Sequence, residues 1–288
     1  MDLIKGNSKP ESINEITYLP IEFFKSKEIK TGLFEPQTTF TSSSTTGKGV
    51  SKHFIKDISN YEKSFRTGFE IFYGDVSNYL ILALLPSYLE REGSSLIYMA
   101  QDFMNKSNYK ESGFFLNEFN DLNSKLQWAE ENKIPTLLLG VTYALLDFSE
   151  AFPQQLENTI VMETGGMKGR KKEITRPEVH GILKSNFGLN QIHSEYGMTE
   201  LLSQAYSKGH GIFECPPWMQ IVIRDTSDPL HLLENGKTGG INIIDLANQD
   251  SCSFIATQDL GKKTAENQLE VSGRFDNSDV RGCNLLAI

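Results

Sequence analysis

The alternation of apolar and polar positions changes character along this chain. In the middle, short apolar runs alternate with amphipathic segments. Residues 79–85 read as a strand, 88–104 and 121–132 as helices, 135–140 as a buried strand, 141–151 as a helix and 159–163 as a strand. Buried strands are short continuous apolar runs, whereas surface helices repeat their apolar positions about every 3.6 residues. Thr175, Arg176, Pro177 and Glu178 then supply an N-cap, an early helical proline and a glutamate three residues past the cap, predicting a helix toward Phe187 that stops at Gly188. Beyond Trp218 the strand-like runs 219–224, 240–246, 253–257 and 269–272 are separated by Gly, Asn and Asp turns.

Alternating strands and helices predict an α/β fold: mixed, largely parallel sheets sandwiched by helices, because parallel neighbours need crossover connections. The later runs predict a smaller antiparallel β portion near the carboxy terminus. The expected organisation is an α/β core over 1–217, a β-rich part of the same large domain over 218–276, and a hinge and stub over 277–288.

Composition narrows the classes. The chain has 288 residues, with 39% hydrophobic and 23% charged, as expected of a globular protein. A net charge of -9 argues against broad nucleic-acid binding. Only the run Lys168, Arg170, Lys171, Lys172 and Arg176 is basic, and it reads as a solvated face or a dock for phosphate or an acidic partner. No apolar run approaches the roughly 20 residues of a membrane helix. Cys215, Cys252 and Cys283 are too scattered for a disulfide framework, so a cytoplasmic setting is expected. The histidines His53, His180, His193, His210 and His231 show no metal-ligand spacing and read as surface or capping residues. Glu163 and Glu195 end predicted strands, and the sequence does not set their separation. Gly140 and Tyr143 read equally as core or as the wall of a ligand pocket.

The hydroxyl-rich stretch Thr41-Ser-Ser-Ser-Thr-Thr-Gly-Lys48 suits a phosphate, since hydroxyls, amides and a lysine can all donate to phosphate oxygens. It is not a kinase-type loop. Gly47 and Lys48 are followed by Gly49 where Ser or Thr is needed, and Ser42 stands where the first glycine belongs. Downstream lies His193-Ser-Glu-Tyr-Gly-Met-Thr-Glu200, after a predicted strand. The two stretches together resemble the adenylate-forming (AMP-binding) enzymes, which share a Thr-Ser-Gly-Thr-Thr-Gly-type phosphate loop and a Tyr-Gly-Met-Thr-Glu signature.

The resemblance implies ATP and Mg2+ as cofactors. It assigns Ser42, Ser43, Ser44, Thr45, Thr46, Gly47 and Lys48 to the phosphates, Gly165 and Gly166 to adenine, and Tyr196 with Gly197 to stacking on the base. Thr199 contacts phosphate, Glu200 holds the metal, Asp259 binds the ribose hydroxyls, Arg274 lies near ribose and phosphate, and Asp276 is the hinge. An aromatic face for a base, a hydroxyl for a phosphoryl oxygen and a hard carboxylate for a hard cation suit these tasks.

Leu19-Pro-Ile-Glu-Phe-Phe-Lys25, Glu195-Tyr-Gly-Met-Thr-Glu-Leu-Leu-Ser-Gln-Ala-Tyr206 and Gly273-Arg-Phe-Asp-Asn-Ser-Asp-Val-Arg-Gly-Cys-Asn-Leu285 resemble more narrowly the acyl-protein synthetases of bacterial fatty-acid reductase systems, the LuxE type. Phenylacetate-CoA ligases are more distantly similar. This implies an acid-thiol ligase that activates a carboxylic acid, expected to be a fatty acid, as acyl-adenylate. The acyl group then passes to Cys283 and on to an acyl-accepting partner, a reductase or transferase. Arg281 beside Cys283 favours a thiolate. Two departures stand out. Ser44 replaces the usual glycine, and the usual mobile terminal domain of roughly 100 residues, with its adenylation lysine, is expected to be largely missing after Asp276. Lys48, Lys52 or a partner is expected to supply that charge. Alternatives are an acyl-CoA or carrier-protein ligase and a non-catalytic nucleotide-binding subunit.

Overall fold

The computed structural model describes residues 9–42, 49–86, 93–165, 174–265 and 268–275. The chain opens with β1 (Leu19–Pro20), α1 (Phe23–Ser26) and an antiparallel pair, β2 (Thr38–Thr41) and β3 (Lys52–Ile55). Helix α2 (Ile58–Tyr73) follows, capped by the Asp57 carboxylate accepting from the Ser59 amide.

An α/β alternation comes next: β4 (Leu80–Leu84), α3 (Ser95–Lys106), β5 (Gly113–Phe115), α4 (Phe119–Glu131), β6 (Thr136–Val141), α5 (Thr142–Ala151), β7 (Thr159–Thr164), α6 (Arg176–Phe187) and β8 (His193–Tyr196). Every residue of β4 and β6 is buried, which accounts for their unbroken apolar runs. The described part of the helix expected over 88–104 begins at Ser95, because the Ser94 side chain caps it. Thr175 and Glu178 form the expected capping box on α6, and Gly188 ends it in the left-handed region at φ 64°. A side chain at Gly188 would also collide with Gln155.

Strands β5, β4, β6, β7 and β8 are mutually parallel. The direction then reverses. β9 (Ala205–Ser207), β10 (Ile212–Glu214), β11 (Met219–Arg224), β12 (Leu232–Leu233), β13 (Thr238–Asp245), β14 (Phe254–Ala265) and β15 (Gln268–Arg274) form an antiparallel arm. One sheet of 13 strands results, ordered β12-β11-β13-β14-β15-β10-β9-β8-β7-β6-β4-β5 with β1 on β14. The antiparallel character sets in at Ala205, ahead of Trp218, because β9 folds back on β8.

Two apolar clusters support this sheet. The first packs α2, α3, α4, α5 and α6 with the parallel strands, and the second gathers Phe24, Tyr196, Leu201, Phe213 and the arm's isoleucines. Each fully buried leucine or phenylalanine contributes about 1.5–3 kcal/mol by leaving water. The segment from Tyr196 to Tyr206 passes from the second cluster to the first, so both cores set its path. Among the described residues no helix is long and apolar enough to cross a membrane.

Candidate functional site

Parallel strands end on one edge of a sheet, and loops leaving that edge face common space. Gly165 follows β7 there, and Gly197 to Glu200 follow β8. Gly165 adopts φ 72°, a conformation that favours glycine, and its carbonyl accepts from Thr142 Oγ1 at 3.3 Å. Tyr196 belongs to β8 itself, so the strand expected before the motif is the motif's own first half.

The Tyr196 hydroxyl donates to Asp259 Oδ2 at 2.7 Å, and Phe213 packs edge-to-face on its ring at 5.8 Å. Asp259 pairs in register with Arg274 across β14 and β15, and Arg274 Nε lies 3.3 Å from Asp259 Oδ1. Burial pushes the Asp259 pKa up, against the pull of Tyr196, Arg274 and Arg224. The residues expected at adenine and ribose therefore meet in one corner, although 63 positions separate Tyr196 from Asp259.

Thr199 and Glu200 sit in a turn that packs on the foot of the hydroxyl-rich loop. Ser42 and Ser51 continue the β2–β3 pairing: the Ser42 amide donates to the Ser51 carbonyl at 3.1 Å, and the Ser51 amide donates to Ser42 Oγ at 2.9 Å. The buried Ser51 hydroxyl makes no hydrogen bond of ordinary geometry, yet lies close enough to the Glu200 carboxylate to lower its pKa. Burial pushes Glu200 the other way and prevails, with Lys25 and Arg274 as the nearby positive charges. Of the hydroxyl-rich stretch expected at the phosphates, Ser42 to Lys48, only Ser42 is among the described residues. Ser43, Ser44, Thr45, Thr46, Gly47 and Lys48 lie outside the described residues, as do Gly166, Asp276, Arg281 and Cys283.

Several sequence readings need correction. His53 and His180 are neither surface nor capping residues, being 1% and 7% exposed. His53 lies in β3 against Thr199, and burial pushes its pKa down to about 4 against the upward pull of its two hydrogen bonds. A lone histidine between Lys52 and Phe54 gave no periodic signal, so sequence reasoning missed it. His210 and His231 are exposed, as expected. Arg176 is not on a solvated face: its Nε donates to Glu163 Oε1 at 3.0 Å and Nη1 to the Val271 carbonyl at 3.1 Å, tying β7 to β15. The other basic residues of that run lie outside the described residues.

Glu163 and Glu195 prove to be neighbours across β7 and β8, where Glu195 registers with Thr164. Burial raises the Glu163 pKa, but His180 and Arg176 outweigh it and leave the carboxyl below its ordinary value. Among the described residues Glu195 accepts from the Thr164 hydroxyl alone, and burial with the Glu163 charge pushes its pKa up to about 7. Cys215 is buried, its thiol pushed up to about 12, which suits a packing role. Among the described residues no group of three or more His, Cys, Asp or Glu could hold a metal.

A cavity of about 240 Å³ opens on the same sheet edge, at the ends of β4, β5 and β6. Pro86, Leu116, Phe119 and Ala144 give it apolar walls, with Asn117, Tyr143 and Asp147 completing the lining. Gly140 is a packing residue, since a Cβ there would lie 2.6 Å from Leu145 Cγ.

No family model and no curated protein matches the chain. Among solved structures it is similar to ATP-bound MatB from Rhodopseudomonas palustris, at 15% identity and a TM-score of 0.62 over 82% of this chain and 47% of that one. It is also similar to 2-hydroxyisobutyryl-CoA ligase in complex with 2-HIB-AMP and CoA, at 12% identity and a TM-score of 0.58 over 84% and 54%. The McyG A-PCP complexed with phenylalanyl-adenylate gives 15% identity and a TM-score of 0.57 over 87% and 43%. The chain thus spans about half the length of these structures. The shared feature is the fold.

Proposed function

We propose that this protein is an ATP-dependent acid-thiol ligase of the acyl-protein synthetase kind. The observation that carries the reading is the meeting of the hydroxyl-rich loop's foot, Ser42 and Ser51, with the Thr199–Glu200 turn, beside a Tyr196–Asp259–Arg274 corner. A carboxylate oxygen attacks the α-phosphorus of ATP, the bond to the β-phosphate oxygen breaks, and pyrophosphate leaves. The acyl-adenylate then loses AMP to the Cys283 thiolate, giving a thioester that a partner reductase or transferase receives.

Each residue's part follows from its chemistry. Asp259 accepts both ribose hydroxyls, Tyr196 and the Gly165 backbone flank the base, and Thr199 donates to phosphate. Glu200 would hold Mg2+, which neutralises charge on the phosphates. A single buried carboxylate beside an unsatisfied hydroxyl fits that ion, because Mg2+ takes most of its other ligands from phosphate and water. The cavity at the ends of β6, β4 and β5 lies two to four strand spacings from β8, roughly 10–20 Å, a suitable seat for the acid's tail.

A second reading, transfer to coenzyme A or a carrier protein, draws on similar structures that contain CoA or a PCP. Incubation with ATP, Mg2+ and a panel of fatty acids, followed by intact mass, tests the first. A covalent acyl adduct is expected, and neither adduct nor pyrophosphate exchange would refute it.

A further inference from the structure

The turn carrying Thr199 and Glu200 belongs to neither strand that flanks it, and one backbone hydrogen bond closes it, from the Leu201 amide to the Met198 carbonyl at 3.1 Å. Side chains from elsewhere hold further polar groups of this segment. Asp245, at the end of β13 and 0% exposed, accepts from the Leu202 amide at 2.8 Å, the Ser203 amide at 3.1 Å and the Ser203 hydroxyl at 2.6 Å. Asn248, 1% exposed, donates through Nδ2 to the Glu200 carbonyl at 2.8 Å. His53 Nδ1 donates to the Thr199 carbonyl at 2.8 Å, and its Nε2 lies 3.0 Å from Asn248 Oδ1. Phe24 packs edge-to-face on the imidazole at 5.6 Å and fixes its plane.

We propose that His53 and Asn248 are positioning residues that lock the main chain at Thr199 and Glu200 to the strand bearing the hydroxyl-rich loop. The geometry has a specific consequence. His53 lies two residues beyond Ser51 on β3, so the foot of the loop and the Thr199–Glu200 turn are held by one side chain. Ligand-bearing groups from positions about 150 apart in sequence thereby keep a constant separation. Such support is worth preserving because small misplacement of a phosphate or metal ligand removes much of its effect.

The proposal rests on the adenylation reading for its effect on rate, but its structural part does not. Hydrogen exchange should show amides of 197–204 exchanging at least about 10-fold faster in His53→Ala and Asn248→Ala, with β4, β6 and β7 unchanged. His53→Asn, which keeps a donor near Nδ1, should recover most of the protection. In pyrophosphate exchange the Ala variants should lose about 10- to 100-fold in kcat with the KM for ATP within about threefold. Unchanged protection of 197–204, or loss spread over the whole chain, overturns the proposal. Selective loss of protection in a protein without pyrophosphate exchange upholds the anchoring and refutes the adenylation reading instead.

Discussion

The Tyr196 hydroxyl donates to the Asp259 carboxylate across 2.7 Å and so fastens the parallel block to the antiparallel arm. Tyr196→Phe leaves Asp259, whose side chain is 14% exposed, with one fewer donor. A loss of about 1–2 kcal/mol is expected in urea denaturation at pH 7. Asp259→Ala should weaken AMP binding at least about tenfold by calorimetry while leaving the far-ultraviolet spectrum intact, since a ribose left without its acceptor loses a charge-assisted pair of hydrogen bonds.

Glu195 makes stability depend on pH in an unusual direction. Its folded pKa of about 7 is above the ordinary value of 4.5, so the folded state binds the extra proton between those limits. Stability should therefore be fullest below about pH 4.5, as far as this group is concerned, and fall as pH rises through 7. Glu195→Gln should abolish that slope and stabilise the protein at pH 8 by up to about 3 kcal/mol. A melting series from pH 5 to pH 8 checks it. Gly197→Ala should act oppositely, because its Cβ would sit 2.3 Å from Glu195 Oε1.

Arg176 and Glu163 form a largely buried pair whose side chains are 25% and 4% exposed. Removing Arg176 leaves the Glu163 carboxylate to the Thr142 hydroxyl and His180, without the guanidinium charge. Arg176→Ala should cost about 3 kcal/mol in chemical denaturation, and adding Glu163→Gln should recover part of it, because the uncompensated charge is then gone.

Cys283→Ala separates the two acyl-transfer readings. If the cysteine carries the acyl group, the variant loses the covalent adduct by intact mass but keeps pyrophosphate exchange, since adenylation precedes thioester formation. Full turnover with coenzyme A in this variant would instead favour transfer to a small thiol.

The parallel block was legible because periodicity is local: the apolar runs at β4 and β6, the capping box at Thr175 and the stop at Gly188 each rest on a few neighbouring residues. The fold class and the residues of the Tyr196–Glu200 motif could be read from such stretches. What surrounds those residues could not. His53 reached Thr199, Arg176 reached Glu163 and Val271, and Asp245 reached Leu202 and Ser203 only when distant segments were brought together. Hydrophobic pattern determines which face of an element is buried, whereas a buried polar group takes whichever partner the packed chain places within hydrogen-bonding reach. Tyr196, Glu200 and Asp259 thus stood out as candidates from the sequence alone. Their convergence, and the buried supports that hold the Thr199–Glu200 turn, were decided by tertiary structure.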